Sequence, residues 1–170
     1  QSDREMYEQT KEILRGNGYE RYEISNYAKA GYECRHNIVY WQRGDYLGLG
    51  LGSASLIDNV RFKNGCNLKE YITAWKDGKG ARLQMQEREV LTVQAQMEEF
   101  MFLGLRRCIG VSRTEFEEKF GESMTGIFGQ AIRKHMENGL LAEAGDRLYL
   151  TDKGLDVSNF VLCDFTEAEK

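Results

Sequence analysis

The hydrophobic pattern of the chain opens with a helix. Met6, Tyr7, Thr10, Ile13 and Leu14 share one face of residues 3–15, with Asp3 as N-cap, and Gly16-Asn17-Gly18 supplies a left-handed stop. Tyr19 to Tyr27 reads as a strand, so this opening predicts one αβ step of a parallel sheet. After a loop at Lys29–Tyr32, Asn37–Tyr40 reads as a short strand and Gln42–Asp45 as a turn. Glycine then occupies every second place from Gly48 to Gly52, strand-like residues continue to Ile57, and Asp58-Asn59 reads as a turn before a returning strand at Val60–Phe62. Asn67 caps an expected helix at Leu68–Trp75, with Tyr71, Ile72 and Trp75 on one side. Lys76-Asp77-Gly78-Lys79-Gly80 reads as a linker, which divides the chain into domains 1–80 and 81–170.

The second half is more regular. Glu87–Arg107 reads as one long helix. Ser112-Arg113-Thr114-Glu115 matches a capping box and opens a short helix with Phe116 and Phe120 four apart. Ile127–Asn138 is a third helix, stopped at Gly139. Leu140–Leu150 reads as a hairpin turning at Ala144–Arg147, and Thr151-Asp152 caps a last short helix. Helix, helix, helix, hairpin is the order of a winged helix-turn-helix.

Charge changes how that order is read. Residues 1–80 carry 12 Lys/Arg and 11 Asp/Glu, whereas residues 81–170 carry 11 and 16. The third helix offers Arg133, Lys134 and His135, but it sits in a domain of net charge −5 that repels a phosphate backbone. No nucleic-acid partner is expected, and a winged-helix regulator stays as an alternative. A protein-interaction module without chemistry is a second alternative, which the acidic half suits. No apolar run reaches bilayer length and no signal peptide is evident, so the expected location is cytoplasmic. The cysteines, Cys34, Cys66, Cys108 and Cys163, are far apart and are read as reduced thiols. The chain has no proline, which leaves its turns to 18 glycines and to Asn/Asp.

Two stretches carry chemistry. Gly48-Leu49-Gly50-Leu51-Gly52-Ser53 approaches a dinucleotide fingerprint, but Ser53 replaces the third glycine and no helix follows, so a Rossmann site is rejected. Alternating glycines still let another backbone or a flat ligand approach closely. Cys34-Arg35-His36-Asn37-Ile38-Val39-Tyr40-Trp41 gathers an imidazole, a guanidinium, an amide, a phenol and an indole. His36 could ligate haem iron, Arg35 could pair with a propionate, and Tyr40 and Trp41 could pack on a flat conjugated ring. Aromatic packing around a structural histidine would use the same residues.

Tyr22-Glu23-Ile24-Ser25-Asn26-Tyr27-Ala28, then Arg35–Trp41, then Tyr46-Leu47-Gly48-Leu49-Gly50 resemble the oxygen-independent coproporphyrinogen III oxidase family of radical-SAM proteins. The HNxxYW pattern resembles its haem-chaperone branch. Leu103-Gly104-Leu105-Arg106, Phe116 and Leu150–Leu155 are similar to the family's C-terminal domain. The resemblance spans nearly the whole chain. It implies an α/β (α+β) fold: the terminal αβ elements of an incomplete radical-SAM barrel, followed by a winged-helix-like C-terminal domain. It implies haem or coproporphyrinogen as ligand, a haem-acceptor protein as partner, and a role in porphyrin biosynthesis or haem delivery. Of the family's cofactors, the [4Fe-4S] cluster needs a CxxxCxxC triad that this chain lacks; S-adenosylmethionine accompanies that cluster. The chain is therefore expected to be a C-terminal part, without catalytic residues and inactive alone. His36, Asn37, Tyr40 and Trp41 match the motif proposed to engage haem, with His36 as the iron ligand. Arg35 and Arg43 are the candidates for ligand carboxylates. Gly50, Gly52 and Ala54 match the loop beside the S-adenosylmethionine pocket. Two departures stand out: Gly52-Ser53-Ala54-Ser55 lacks the branch's histidine, and Ala30 stands where a proline is usual. An incomplete barrel should also leave apolar surface exposed in the first eighty residues, so self-association is expected.

Overall fold

The structure, a computed structural model, describes residues 2–78 and 86–166. The first helix is α1 (Ser2–Gly16), followed by a two-stranded hairpin, β1 (Glu20–Arg21) and β2 (Tyr27–Ala28). These strands pair antiparallel, Glu20 with Ala28 and Arg21 with Tyr27, so the expected parallel step is corrected. The cause is local. The Glu23 carboxylate accepts the Ser25 N–H at 3.0 Å and the Asn26 amide at 2.5 Å, which folds the chain over in mid-segment. α1 already includes Asp3, expected as its cap, and it does not bury one continuous face: Met6 and Ile13 are exposed.

The opening chemical segment is also corrected. Residues expected as a strand form α2 (Arg35–Trp41). β3 (Ala54–Ile57) and β4 (Val60–Lys63) turn at Asp58-Asn59 as expected, both left-handed with φ of 49° and 62°. The glycine run before β3 is loop, not strand. α3 (Leu68–Lys76) follows its Asn67 cap, whose side chain accepts the Lys69 and Glu70 N–H groups. The linker drawn at residues 76–80 runs into 79–85, outside the described residues.

The expected 87–107 helix divides. β5 (Gln86–Val90) joins β4, pairing Val60 with Val90 and Arg61 with Glu89. Then α4 (Val93–Gly104) starts at Thr92, whose hydroxyl accepts the Ala95 N–H at 3.1 Å. Gln-Glu-Arg-Glu-Val is a good helix-forming string, but all five residues are exposed and the edge of β4 takes them as a strand. The sheet β3-β4-β5 therefore contains residues from both sides of the sequence linker.

β6 (Val111–Ser112), α5 (Arg113–Phe120), α6 (Met124–Glu137), β7 (Leu141–Ala144) and β8 (Arg147–Leu150) complete the helix and wing pattern. β6 adds a third strand, in the order β6-β8-β7. Two short helices, α7 (Asp152–Asp156) and α8 (Ser158–Cys163), end the described chain. The main apolar cluster lies here, drawn from residues 97–165. Fully buried Phe116 is at its centre, with the rings of Phe100, Phe120 and Phe128 at 5.5, 4.9 and 6.1 Å. In the first eighty residues, Leu47, Leu49, Leu51, Leu68, Ile72 and Trp75 remain exposed. Among the described residues, no helix is long and apolar enough to cross a membrane.

Candidate functional site

α2 is short and poorly equipped to exist alone. It has seven residues, no side-chain N-cap at Cys34, no acidic residue in its first turn and no fully buried side chain. Its C-terminus closes by a Schellman pattern: Arg43 N–H donates to Tyr40 C=O at 3.0 Å, and Gly44 N–H to Val39 C=O at 2.8 Å. The left-handed position in such a motif usually holds glycine. Here it holds Arg43, at φ 55°. A non-glycine residue costs about 1–2 kcal/mol in that conformation.

The helix turns its motif residues onto two faces. Arg35 and His36 face solvent, whereas Asn37, Tyr40 and Trp41 face inward and line a cavity of about 410 Å³. Tyr46 and Leu56 from the sheet side and Phe102 and Leu103 from α4 complete its apolar walls. The His36 ring meets Tyr40 edge-on, centres 4.8 Å apart, and Tyr40 meets Tyr46 at 4.6 Å. An aromatic relay thus leads from the exposed imidazole to the cavity rim. Trp41, expected to pack on a ligand ring, is instead half-buried with the Arg106 guanidinium carbon 4.5 Å from its ring centre.

The charged wall of the cavity is a buried cluster. Glu99 of α4 accepts from Arg43 Nε at 2.8 Å and, through its other oxygen, from Arg61 of β4. Arg43 also donates to Asn59 Oδ1 at 2.8 Å. Arg43 and Glu99 are each 6% exposed. Arg43 is therefore turned inward, bound through Nε and Nη1 while it lines the cavity, whereas Arg35 is exposed. Burial favours the neutral form of Arg61, but the Glu99 bond and the negative charge around it, that of Glu99 first, together hold the guanidinium above its usual range. Lys119 of α5 is pushed down by burial and then by the charge of Arg43.

The glycine loop follows Tyr46 in the chain. A Cβ on Gly48 would stand 2.2 Å from the Ala54 carbonyl oxygen, so only glycine fits. Gly50 and Gly52 are left-handed, at φ 94° and 64°. Asn64 pins the loop by donating to Gly50 C=O at 2.9 Å and Ser53 Oγ at 3.0 Å. Ala54 is the first residue of β3, and the leucines between the glycines point outward. Sequence reading missed Asn64 and Glu99. Neither carries a local signal, because their partners lie 11 to 56 residues away. A larger groove of about 640 Å³ runs along α3, but among the described residues its lining offers no histidine, cysteine or aromatic ring.

All four cysteines are free, and among the described residues no group of three His, Cys, Asp or Glu could hold a metal ion. The chain does not fit a [4Fe-4S] cluster, for want of three thiolates at a workable spacing.

The fold matches a solved coproporphyrinogen III oxidase (HemN) from Escherichia coli, described as a radical SAM enzyme. The TM-score is 0.72, over 94% of this chain and 40% of that one, at 16% identity. Residues 91–157 match the HemN C-terminal domain family. Curated relatives include heme chaperone HemW of Lactococcus lactis subsp. lactis (strain IL1403), 37% identical over 95% of this chain and 41% of that protein. HemW of Bacillus subtilis (strain 168) is 37% identical over 97% and 43%, and that of Escherichia coli (strain K12) is 33% identical over 88% and 39%. The chain belongs to the HemW family. It spans about two fifths of the length of these relatives.

Proposed function

We propose that this chain is the part of a HemW-type heme chaperone that presents an axial ligand to haem, with His36 as that ligand. The observation that carries this reading is the split of α2. An exposed imidazole meets Tyr40 edge-on, and Tyr40 in turn lines an aromatic-walled cavity. Haem iron takes an axial ligand such as an imidazole and a metal-free porphyrinogen takes none, so His36 favours haem delivery over the oxidase reaction. Tyr40 and Tyr46 would flank the macrocycle edge, Asn37 would offer an amide at the rim, and exposed Arg35 would meet a propionate. Trp41 would contribute as a wall.

In this reading the cluster and S-adenosylmethionine of the radical-SAM class are held by residues outside this chain. The loop of Gly50, Gly52 and Ala54 would border that pocket, and its outward leucines would pack on the parts of the longer relatives that this chain lacks. The handing on of haem then requires an acceptor protein, and the expected location is cytoplasmic.

A haem titration followed by the Soret band tests the reading, on this chain and on His36→Ala. Saturable binding, weakened at least about tenfold in the variant, is the expected result. Equal affinity and equal spectra in the two proteins would remove His36 as the iron ligand.

A further inference from the structure

We propose that Arg43 and Glu99 are positioning residues that fix the His36 helix against α4. The inference rests on the haem-ligand reading of α2 and names what holds that ligand in place. α2 supplies little of its own stability, having no side-chain N-cap and no fully buried side chain. Its C-terminal motif would close more easily with glycine at position 43, yet an arginine occupies the left-handed conformation. A strained residue persists where its surroundings over-determine it. The surroundings here are explicit. The Arg43 guanidinium leaves the helix end and reaches Glu99 on α4 and Asn59 in the β3–β4 turn, both at 2.8 Å. Arg61 closes on the other Glu99 oxygen from β4. One side chain therefore ties the end of the histidine helix to a turn of the sheet and to the first helix of the C-terminal domain.

The bond is directional as well as electrostatic. A planar guanidinium between a carboxylate and an amide oxygen fixes the rotation of the residue that carries it. Arg43 is two residues beyond Trp41 and seven beyond His36. A change in its tilt moves Tyr40 against Tyr46, and with it the imidazole that Tyr40 orients. Sites that must place a ligand atom depend on such supporting bonds, and their loss typically weakens binding about 10–100-fold.

Arg43→Gly separates the side chain from the backbone, because glycine suits the left-handed position and keeps the helix stop. Expected is a rise in haem Kd of at least about tenfold when His36 is present, and less than about twofold in a His36→Ala background. Arg43→Lys, which keeps the charge but not the fork, should recover part of the loss. Arg43→Gly binding haem as the unaltered chain does would overturn the proposal and leave position 43 a simple cap. Equal weakening with and without His36 would overturn it too.

Peptide-level hydrogen exchange supplies a readout that needs no haem. In Arg43→Gly and Glu99→Gln, amides of residues 35–44 should exchange at least about tenfold faster, while those of α5 and α6 stay unchanged. Unchanged exchange at 35–44 would overturn the tie. If the unaltered chain binds no haem but exchange accelerates as stated, the haem reading of α2 fails and the Arg43–Glu99 tie stands.

Discussion

Arg106 stacks on Trp41, with the guanidinium carbon 4.5 Å from the ring centre. The pair joins α2 to the turn after α4. The same turn accepts the Ile24 N–H at the Arg106 carbonyl, and its Cys108 N–H donates to the Tyr22 carbonyl, both at 3.0 Å. Two of the segments that carry the family resemblance, Tyr22–Ala28 and Arg35–Trp41, thus meet at the end of another, Leu103–Arg106. Trp41 is accounted for as an anchor.

A half-buried cation–π pair contributes about 1–2 kcal/mol. Arg106→Ala should lower stability by that amount and shift Trp41 fluorescence to the red. A Trp75→Phe background removes the other, already exposed tryptophan. Arg106→Lys should recover little, since an ammonium does not stack as a guanidinium does. A double-mutant cycle with Trp41→Leu that gave no coupling would defeat this assignment.

The glycine loop offers a sharper contrast. Gly48→Ala drives a methyl into the Ala54 carbonyl, 2.2 Å away, and something must shift. Nothing lies within 4 Å of the corresponding atom at Gly50, where only the left-handed φ is at stake. Gly50→Ala should cost about 1 kcal/mol and Gly48→Ala clearly more, about 2–4 kcal/mol. Urea unfolding of the two variants side by side checks the order, and equal midpoints would refute it.

Much of the fold is written locally. The Asn67, Ser112 and Thr151 caps each accept the N–H their sequence promised, and the 141–150 hairpin turns where its Gly-Asp predicts. α2 was not legible in this way. Ile38 and Val39 are β-branched, Cys34 provides no cap, and the tie that holds the helix reaches 56 residues ahead to Glu99. β5 failed for the same physical reason, since an edge of β4 overrode a helix-forming string. The site followed suit. Its candidate residues His36, Asn37, Tyr40 and Trp41 stand close together in sequence, but only a helix leaves His36 exposed while the other three line the cavity. The i, i+4 spacings of His36 with Tyr40 and of Asn37 with Trp41 were the available signal for a helix, the first pair giving the ring contact that the structure shows.

Phe116 gives the C-terminal domain its largest single packing prediction. It is fully buried among Phe100, Phe120 and Phe128. Phe116→Ala should cost about 3–5 kcal/mol, seen as loss of near-ultraviolet dichroism at a much lower denaturant midpoint. Ile13→Ala, on an exposed position of α1, should stay within about 0.5 kcal/mol of the unaltered chain. A smaller effect at 116 than at 13 would show that the aromatic cluster is not the core.

The end of the chain carries a pH-dependent clasp. Asp164, just after α8, accepts from Lys134 Nζ at 2.6 Å and bonds the buried His135 ring nitrogen at 2.8 Å, tying the last helix to α6. The Lys134 bond holds the Asp164 carboxyl below its usual range; burial opposes it, and the His135 bond adds to the lowering. A folded pKa below the unfolded one gives stability that is complete above the unfolded value, about 4, and is lost as pH falls through the lower folded value. Asp164→Asn should therefore lower the melting temperature at pH 7 by about 2–4 °C, the size of a roughly 1 kcal/mol loss in a chain of this length. The gap between the two proteins should narrow as pH drops below about 4, where the native aspartate also becomes protonated. Melting curves from pH 7 to pH 2.5 measure this directly. A gap that stays constant across the range would mean that the carboxylate charge contributes nothing, and that the clasp holds by the contacts of Lys134 and His135 with the Phe160 ring.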